Sequence, residues 1–175
     1  MTGWRVVLAG LLAFLAAAGV AWWSQQRPAP PQPPLSRLEH QRRMQDAEVK
    51  QRFEQAVAML HAKQYDHAIV ALHRVLEIAP AMPEAMVNMG FALLGLNRAD
   101  DARGFFLAAV ELRPTQANAY YGLALAEEKR KDLPAALGSM RSYLHLSKAD
   151  DPYRAKARSA LWEWEEQLGR HRRSQ

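Results

Sequence analysis

The sequence predicts an all-α fold, an α-solenoid of antiparallel helix pairs that follows a single N-terminal transmembrane helix. Small and apolar residues recur every 34 positions between residues 49 and 150, and a proline repeats at the same interval. An uncharged run of 18 residues lies near the N-terminus. An amphipathic helix pair of about 30 residues cannot bury its apolar face alone, so it needs copies of itself stacked alongside.

Residues 1–25 are predicted to anchor the chain in a membrane. The run Val6–Trp23 is uncharged and mostly apolar, and as a helix it would be about 27 Å long, close to the ~30 Å hydrocarbon core of a bilayer. Trp4, Trp22 and Trp23 lie at its two ends, where amphipathic rings favour the membrane interface. A cleaved signal peptide is the alternative, with small residues late in the run as its cleavage site.

The flanks of this run bear on its orientation. A short basic N-terminus, here with Arg5, is typical of bacterial export signals. We therefore expect a single-pass protein of the cell inner membrane with its folded part in the periplasm. The cytoplasmic side is the alternative, because Arg27, Arg37, Arg42 and Arg43 follow the run and outnumber the basic groups before it.

Residues 26–35 are predicted to be a proline-rich linker. The segment 28–34, PAPPQPP, contains five of the ten prolines in the chain. Each proline lacks a backbone donor and biases its predecessor away from the α region, so a helix is excluded. In the extended polyproline conformation these residues form a stiff spacer of about 20 Å. A role as a proline-rich ligand for a partner domain is the alternative.

The domain of residues 36–168 is predicted to contain three repeats and a capping helix. The repeats occupy about 49–82, 83–116 and 117–150, and the cap occupies 151–168. Within and between repeats, small residues of one helix allow close approach of large residues on the next. The predicted repeat-packing residues are Ala56, Ala68, Gly90, Ala102, Phe106, Ala109, Ala124 and Ala136.

The helix starts carry their own signals. Ser36, with Glu39 three residues later, has the form of a capping box and predicts the start of a long polar helix before the first repeat. Asp66, Asp100 and Asp132 are predicted at the starts of the second helices. A carboxylate there accepts hydrogen bonds from free backbone amides and suits the positive helix end.

The C-terminal end departs from the repeat pattern. Lys148 stands where Pro80 and Pro114 predict a proline, so we expect one capping helix with a polar outer face rather than a full fourth repeat. The basic tail of residues 169–175 is predicted to be disordered. The outer residues of the cap are predicted to be Arg154, Lys156, Arg158, Glu163, Glu165 and Glu166, and the inner ones Tyr153, Ala157, Leu161 and Trp164.

The repeated residues resemble a known family. Gly90, Ala102, Phe106, Ala109 and Pro114 follow the small-small-aromatic-Ala-Pro pattern of the tetratricopeptide repeat (TPR) family, and a period of 34 residues is typical of that family. The general plan of anchor, spacer and few repeats is similar to that of membrane-anchored bacterial TPR proteins. The resemblance implies a superhelix in which the first helix of each pair lines a concave groove.

This groove is the candidate functional site. Four-residue spacing keeps its residues on one helical face, and contiguous apolar surface of this kind is typical of a partner site. Two alternatives stay open: the chain's own N-terminal helix or cap could fill the groove, or the residues could be inert packing. The predicted partner-binding residues are Phe53, Val57, Leu60, Val87, Asn88, Phe91, Leu94, Tyr121 and Leu125.

The groove residues also limit the ligand. TPR domains that grip a chaperone's C-terminal carboxylate use a cluster of Lys or Arg with Asn on these faces, and the resemblance extends only to Asn88. We therefore reject a carboxylate clamp and expect an apolar helix or an extended peptide.

Composition and spacing argue against other classes of function. The chain has no cysteine, and His61, His67 and His73 fall six residues apart, whereas paired metal ligands on a helix need a spacing of four. No phosphate-binding loop or nucleophile motif is present. The net charge of +5 comes without a contiguous basic face, which disfavours nucleic-acid binding. We expect no enzyme activity, cofactor or metal.

The sequence thus predicts a non-catalytic, membrane-tethered adaptor that binds a protein partner during assembly or maintenance of an envelope complex. A permanent small structural subunit of a membrane complex is one alternative. A factor similar to the TPR proteins that present apocytochromes to the haem-attachment machinery is another. The sequence leaves the oligomeric state open.

Overall fold

A computed structural model describes residues 36–173 of the 175-residue chain, with side-chain surroundings to Arg170. The predicted membrane anchor at 1–25 and linker at 26–35 lie outside the described residues. Within 36–173, no helix is both long enough and apolar enough to cross a bilayer. The described helices are α1 (Arg37–His61), α2 (Tyr65–Ile78), α3 (Pro83–Gly95), α4 (Ala99–Leu112), α5 (Ala117–Lys129), α6 (Leu133–Leu146) and α7 (Arg154–Arg173).

Successive helices pack against one another along the array. Contacts join α2 to α3, α3 to α4, α4 to α5, α5 to α6 and α6 to α7, and α3 also contacts α5. The first helices α3 and α5 therefore pack on their own partners and on neighbouring pairs, as a solenoid requires. The predicted all-α, TPR-like solenoid is confirmed, with seven helices in the described part of the chain.

One turn geometry closes each helix pair. Lys63, Asn97 and Lys131 have φ values of 58°, 59° and 63°, in the left-handed region that ends many helices. In each turn the next backbone N–H donates to a carbonyl five residues earlier, as Arg98 does to Leu93 at 2.9 Å. This bond is the signature of a Schellman motif. Because these residues are 34 apart, the backbone conformation of the turns repeats with the same period as the sequence.

The core is built around the ring of Phe106. A methyl group added at Gly90 would meet this ring at 2.6 Å, and one added at Gly122 would meet it closer still. Phe91 packs edge-on against the same ring, with centroids 5.1 Å apart. All eight predicted repeat-packing residues are buried. Because these two glycines have no side chain, the backbones of α3 and α5 can both lie directly against the Phe106 ring of α4.

The helix starts differ from the prediction at two of three positions. The residues that precede α2 and α4 are Gln64 and Arg98, and neither caps its helix with a side-chain hydrogen bond. Asp66 and Asp100 lie in the first turns instead. The reason is that the N-cap is always the residue directly after the left-handed position, whereas Asp66 and Asp100 come three residues after it. Asp132 does cap α6, where its Oδ1 accepts from the Ala135 amide at 3.2 Å.

The C-terminal helix also differs from the prediction. It continues to Arg173, so the basic residues up to that point are helical rather than a disordered tail. Ala157 and Trp164 are buried and Leu161 is half-buried, as the predicted inner face requires, but Tyr153 is exposed. Three of the four predicted inner residues of the cap therefore pack against the array, and Tyr153 does not lie in its interior.

Arg154 does not lie on the outer face of this helix. Its Nη1 donates to the carbonyls of Leu144 and Ser147, at 2.6 and 2.9 Å, and to the Ser147 hydroxyl at 2.7 Å. The last carbonyls of a helix lack intrahelical donors, so this guanidinium closes the C-terminal end of α6 and ties it to α7.

Candidate functional site

The inner faces of the first helices and the start of α7 enclose a groove of ≈ 480 Å³. This volume falls in the range of ligand pockets, roughly 300–1,000 Å³. Side chains from α1, α3 and α5 form most of it, and the C-terminal residues close one end. The lining residues are Val57, Leu60, His61, Tyr65, Asn88, Phe91, Asn118, Tyr121, Leu125, Tyr143, Tyr153 and Lys156.

The floor of the groove is one column of the repeat. Val57, Phe91 and Leu125 are 34 residues apart, and all three line the groove as half-buried side chains. Phe91 rests on the ring of Phe106, so the core below it fixes its orientation. The column therefore forms a continuous apolar strip across three helices.

Six of the nine predicted groove residues line the groove, and three do not. Val87 and Leu94 are buried in the core, with 4% and 8% of their surface exposed. Phe53 is half-buried and packs against the same core. Helix α3 is flanked by α2, α4 and α5, so the edges of its inner face are covered. Residues of these columns line the groove only at the two ends of the array, as Leu60 and Tyr121 do.

Three tyrosines form one end of the groove. The ring of Tyr121 lies 5.0 Å from that of Tyr143 and 5.5 Å from that of Tyr153. The Tyr143 hydroxyl donates to Asp151 Oδ1 at 2.6 Å, and the same oxygen accepts from the Tyr153 amide at 2.9 Å. One carboxylate thus holds two tyrosines in place.

Burial keeps these hydroxyls protonated. It raises the pKa of Tyr143 well above its usual value, and the hydrogen bond to Asp151 adds to the effect. Burial also raises the pKa of Tyr121, assisted by the nearby Tyr153 and Asp151. Both phenols are neutral hydrogen-bond donors over the whole physiological pH range.

The polar groups of the groove are hydrogen-bond donors. Asn88 and Asn118 contribute amides, His61 an imidazole and Lys156 an ammonium group. Within residues 36–173, neither asparagine side chain has a hydrogen-bond partner. Among the described residues that line the groove, none is Asp or Glu. The groove therefore favours ligands that present carbonyl or other acceptor groups and disfavours cations.

Sequence reasoning missed half of the lining. The prediction used only positions that repeat on the first helix of each pair. It could not include residues outside those helices, or residues next to the repeated positions. Tyr65 shows why: it begins a second helix, and its ring lies directly over Gly95, where an added methyl would meet it at 2.5 Å. The available signal was the small residue Gly95 at the end of α3, which leaves room for the Tyr65 ring at the start of α2. The missed residues are His61, Tyr65, Asn118, Tyr143, Tyr153 and Lys156.

The described ends of the chain leave the groove open. Tyr153 and Lys156 stand at its rim and are exposed, and the start of α1, from Ser36 to Ala47, is exposed throughout. In the described part of the chain, no group of three His, Asp or Glu side chains is placed to hold a metal ion. What the groove offers is aromatic faces, an apolar floor and hydrogen-bond donors.

The chain is similar to known TPR proteins. The family described as tetratricopeptide repeat matches residues 59–124. No curated protein sequence matches the chain. The TPR domain of Sgt2 from Aspergillus fumigatus is 20% identical with a TM-score of 0.65, over 72% of this chain and 82% of that one.

Two further structures with this fold hold peptides. The first TPR domain of Spaghetti (RPAP3), bound to the HSP90 peptide SRMEEVD, is 20% identical with a TM-score of 0.65, over 70% of this chain and 97% of that one. SycD of Yersinia enterocolitica, bound to a peptide of the translocator YopD, is 10% identical with a TM-score of 0.63, over 69% and 94%. At these identities the likeness concerns the fold. In residues 59–124 and in its fold, the chain is therefore similar to tetratricopeptide repeat proteins.

Proposed function

We propose that this protein is a non-catalytic, membrane-tethered adaptor that binds an extended segment of a partner protein in its groove, during assembly or maintenance of an envelope complex. The observation that carries the proposal is the open groove with an apolar floor of Val57, Phe91 and Leu125. Large apolar side chains at a concave surface are unfavourable in water unless a partner covers them.

The polar groups of the groove favour an extended segment over a helix. A helix satisfies its own backbone hydrogen bonds, whereas an extended peptide presents free carbonyls along its length. Asn88 and Asn118 offer amide donors that have no partner within residues 36–173. Two proteins with the same fold, the first TPR domain of RPAP3 and the secretion chaperone SycD, are bound to peptides. These points support an extended peptide as the ligand.

A pair of valine variants tests the groove. Val57 lines it, whereas Val70 on α2 is 72% exposed outside it. A carboxylate at position 57 puts an unpaired charge into an apolar floor, so Val57→Asp in the full chain should weaken partner binding at least tenfold, or by ~1.4 kcal/mol. Val70→Asp should leave binding unchanged. Affinity purification with quantitative mass spectrometry measures both, and circular dichroism verifies that each variant is folded.

The outcomes separate the alternatives. A partner that stays bound to Val57→Asp and Val70→Asp alike would contradict the groove as the binding site. A partner lost only from Val57→Asp and recovered in less than equimolar amount supports the adaptor. A partner lost from neither and recovered at one copy per chain supports a permanent structural subunit instead.

The tether and its side are part of the proposal. The apolar run Val6–Trp23 and its flanking tryptophans support a retained anchor. The full chain should resist extraction from membranes by alkaline carbonate, and a chain lacking residues 1–25 should be extracted. Protease added outside the inner membrane should cleave a periplasmic domain. Protection of the domain in intact spheroplasts would overturn the periplasmic side.

A further inference from the structure

We propose that the groove takes a proline-rich segment in the polyproline conformation, and that its occupant is residues 28–34 of a second copy of this chain. The proposal rests on the proposed function of the groove as a peptide site. The proposal adds that the peptide is proline-rich. It also adds that a second copy of this chain competes with other partner proteins for the groove.

The aromatic lining fits proline rings. Proline-rich segments dock in aromatic-lined grooves, because their rings pack on flat aromatic faces and their preformed backbone loses little entropy on binding. Five of the twelve lining residues are aromatic. Tyr65, Phe91 and Tyr153 keep exposed ring surface, whereas Tyr121 and Tyr143 are almost fully buried. The Tyr153 ring packs on that of Tyr121 at 5.5 Å with a tilt of 47°, and Tyr65 lies over Gly95. The aromatic lining residues are Tyr65, Phe91, Tyr121, Tyr143 and Tyr153.

The hydrogen-bond pattern fits as well. The polyproline conformation leaves every carbonyl free, and each proline lacks an N–H. In PAPPQPP only Ala29 and Gln32 keep a backbone donor, so the segment is almost entirely an acceptor. The groove is the complement, because Asn88, Asn118 and Lys156 donate and none of its described lining residues is a carboxylate. A cationic peptide would find no carboxylate among these described lining residues.

Chain length favours a second copy as the source. Helix α1 separates the segment from the groove, and from Arg37 to Val57 it rises about 30 Å. From Arg37 back to Pro31, the centre of the segment, six residues span at most about 22 Å. A segment of the same chain that folded back along α1 would therefore not bring its centre to the first lining residue. Two copies anchored in one membrane present segment and groove on the same side.

The absence of cysteine from the sequence permits a direct test. Full chain carrying Gln32→Cys is mixed in detergent with full chain carrying Asn118→Cys, which replaces an exposed lining residue. Mild oxidation should link the two copies. The matched control replaces Asn118→Cys with His73→Cys, on an exposed part of α2 outside the groove. The groove cysteine should give about tenfold more cross-linked dimer than the control, the ratio expected for a preference of ~1.4 kcal/mol.

Substitution of the prolines provides the second arm. Adding Pro30→Ala and Pro33→Ala to the Gln32→Cys chain should lower the yield of cross-linked dimer about tenfold, because the polyproline conformation and two rings are lost. Equal yields with and without the prolines, or with Asn118→Cys and His73→Cys, would overturn the inference. A diluted chain carrying both Gln32→Cys and Asn118→Cys that closes an internal disulfide would overturn the second copy as the source.

The result is separable from that of the proposed function. If no groove-specific cross-link forms while Val57→Asp still loses its partner, the self-recognition is wrong and the adaptor role stands. If the cross-link forms, and Val57→Asp abolishes it and also loses the partner protein, both stand.

Discussion

The middle of the array and its C-terminal end bury their side chains by different means. Around Phe106, the packing is purely apolar: the ring fills the space left by Gly90 and Gly122 and touches Phe91. Around Tyr143, polar groups enter the interior, and the Tyr143 hydroxyl and the Arg154 guanidinium both have hydrogen-bond partners. We call these the Phe106 core and the Tyr143 core.

In the Tyr143 core, hydrogen bonds fix the positions of side chains in addition to the burial of apolar surface. Asp151 accepts from both Tyr143 and the Tyr153 amide, and Arg154 closes the end of α6. Hydrogen bonds specify orientation, whereas apolar packing is non-directional. The comparison teaches that the Phe106 core supports the apolar floor of the groove by packing alone, while the Tyr143 core orients the tyrosines at its end through hydrogen bonds. The variants below test this division, from the largest expected effect to the smallest.

Phe106→Ala should give the largest loss of stability. It removes the one ring that fills the space between three helices, and a buried Phe→Ala change typically costs about 3–5 kcal/mol. Chemical denaturation measures the free energy of unfolding. Leu107→Ala, at the exposed neighbouring position, should cost less than about 1 kcal/mol. Equal losses at the two positions would contradict the Phe106 core as the source of stability.

Tyr143→Phe should have an intermediate effect on stability and a distinct one on the groove. The change removes one hydroxyl donated to a carboxylate at 2.6 Å, and such a bond contributes about 1.5–3 kcal/mol. Because Asp151 then loses one of its two tyrosine contacts, partner binding should weaken as well. Val75→Ala is the control: Val75 is buried in the core but does not line the groove, so this change should lower stability without changing the affinity of the folded protein. If Tyr143→Phe leaves binding unaltered, the orienting role of this core is wrong.

Gly122→Ala should have a smaller effect, of about 1 kcal/mol. The added methyl overlaps the Phe106 ring, and overpacking typically costs about 1–3 kcal/mol. Alanine recovers part of this loss through its helix propensity, about 1 kcal/mol. Gly104 is the matched control, since a methyl there would meet nothing within 4 Å. Gly104→Ala should therefore raise the free energy of unfolding, and the two variants should differ in sign.

The Phe106 core was predictable from the sequence, and the Tyr143 core was not. Gly90, Ala102 and Phe106 stand in columns that repeat every 34 residues, and a repeated column is evidence for shared packing. Gly122 does not follow its column, because Asn88 holds that place in the second repeat. Its role appears only once Phe106 is seen to contact two helices.

The groove was predictable only where its residues repeat. Val57, Phe91 and Leu125 form a column, and all three line it. Tyr153 and Lys156 belong to no column, because the chain there departs from the repeat. Their positions depend on where α7 begins, which Asp151 and Arg154 fix through side-chain hydrogen bonds. Tertiary contacts of this kind do not repeat along the sequence, so the repeat pattern cannot predict them.

The smallest expected effect concerns Glu127, a buried carboxyl in the third repeat. It occupies the core position that Met59 and Leu93 hold in the first two repeats, and it is buried. Its Oε2 accepts from the Ser139 hydroxyl at 2.7 Å, and Arg103 Nε lies 3.9 Å from its other oxygen. Burial raises the pKa of this carboxyl, while Ser139 and Arg103 oppose the rise. The third repeat therefore holds an acid whose ionised form the fold disfavours.

The sign of the pH effect follows from that direction. The unfolded chain ionises Glu127 at a lower pH than the folded chain does, so its contribution to stability is fully present below the unfolded pKa and is lost as pH rises through the folded pKa. Glu127→Gln keeps an acceptor for Ser139 and cannot ionise. The free energies of unfolding of the two proteins should be closest near pH 4, and the variant should gain on the wild type towards pH 7. Exposed carboxyls whose pKa is lowered, such as Glu48 beside Arg52, are common to both proteins and cancel in the difference. A constant difference between the two proteins across this range would mean that Glu127 is as well solvated in the fold as in the unfolded chain.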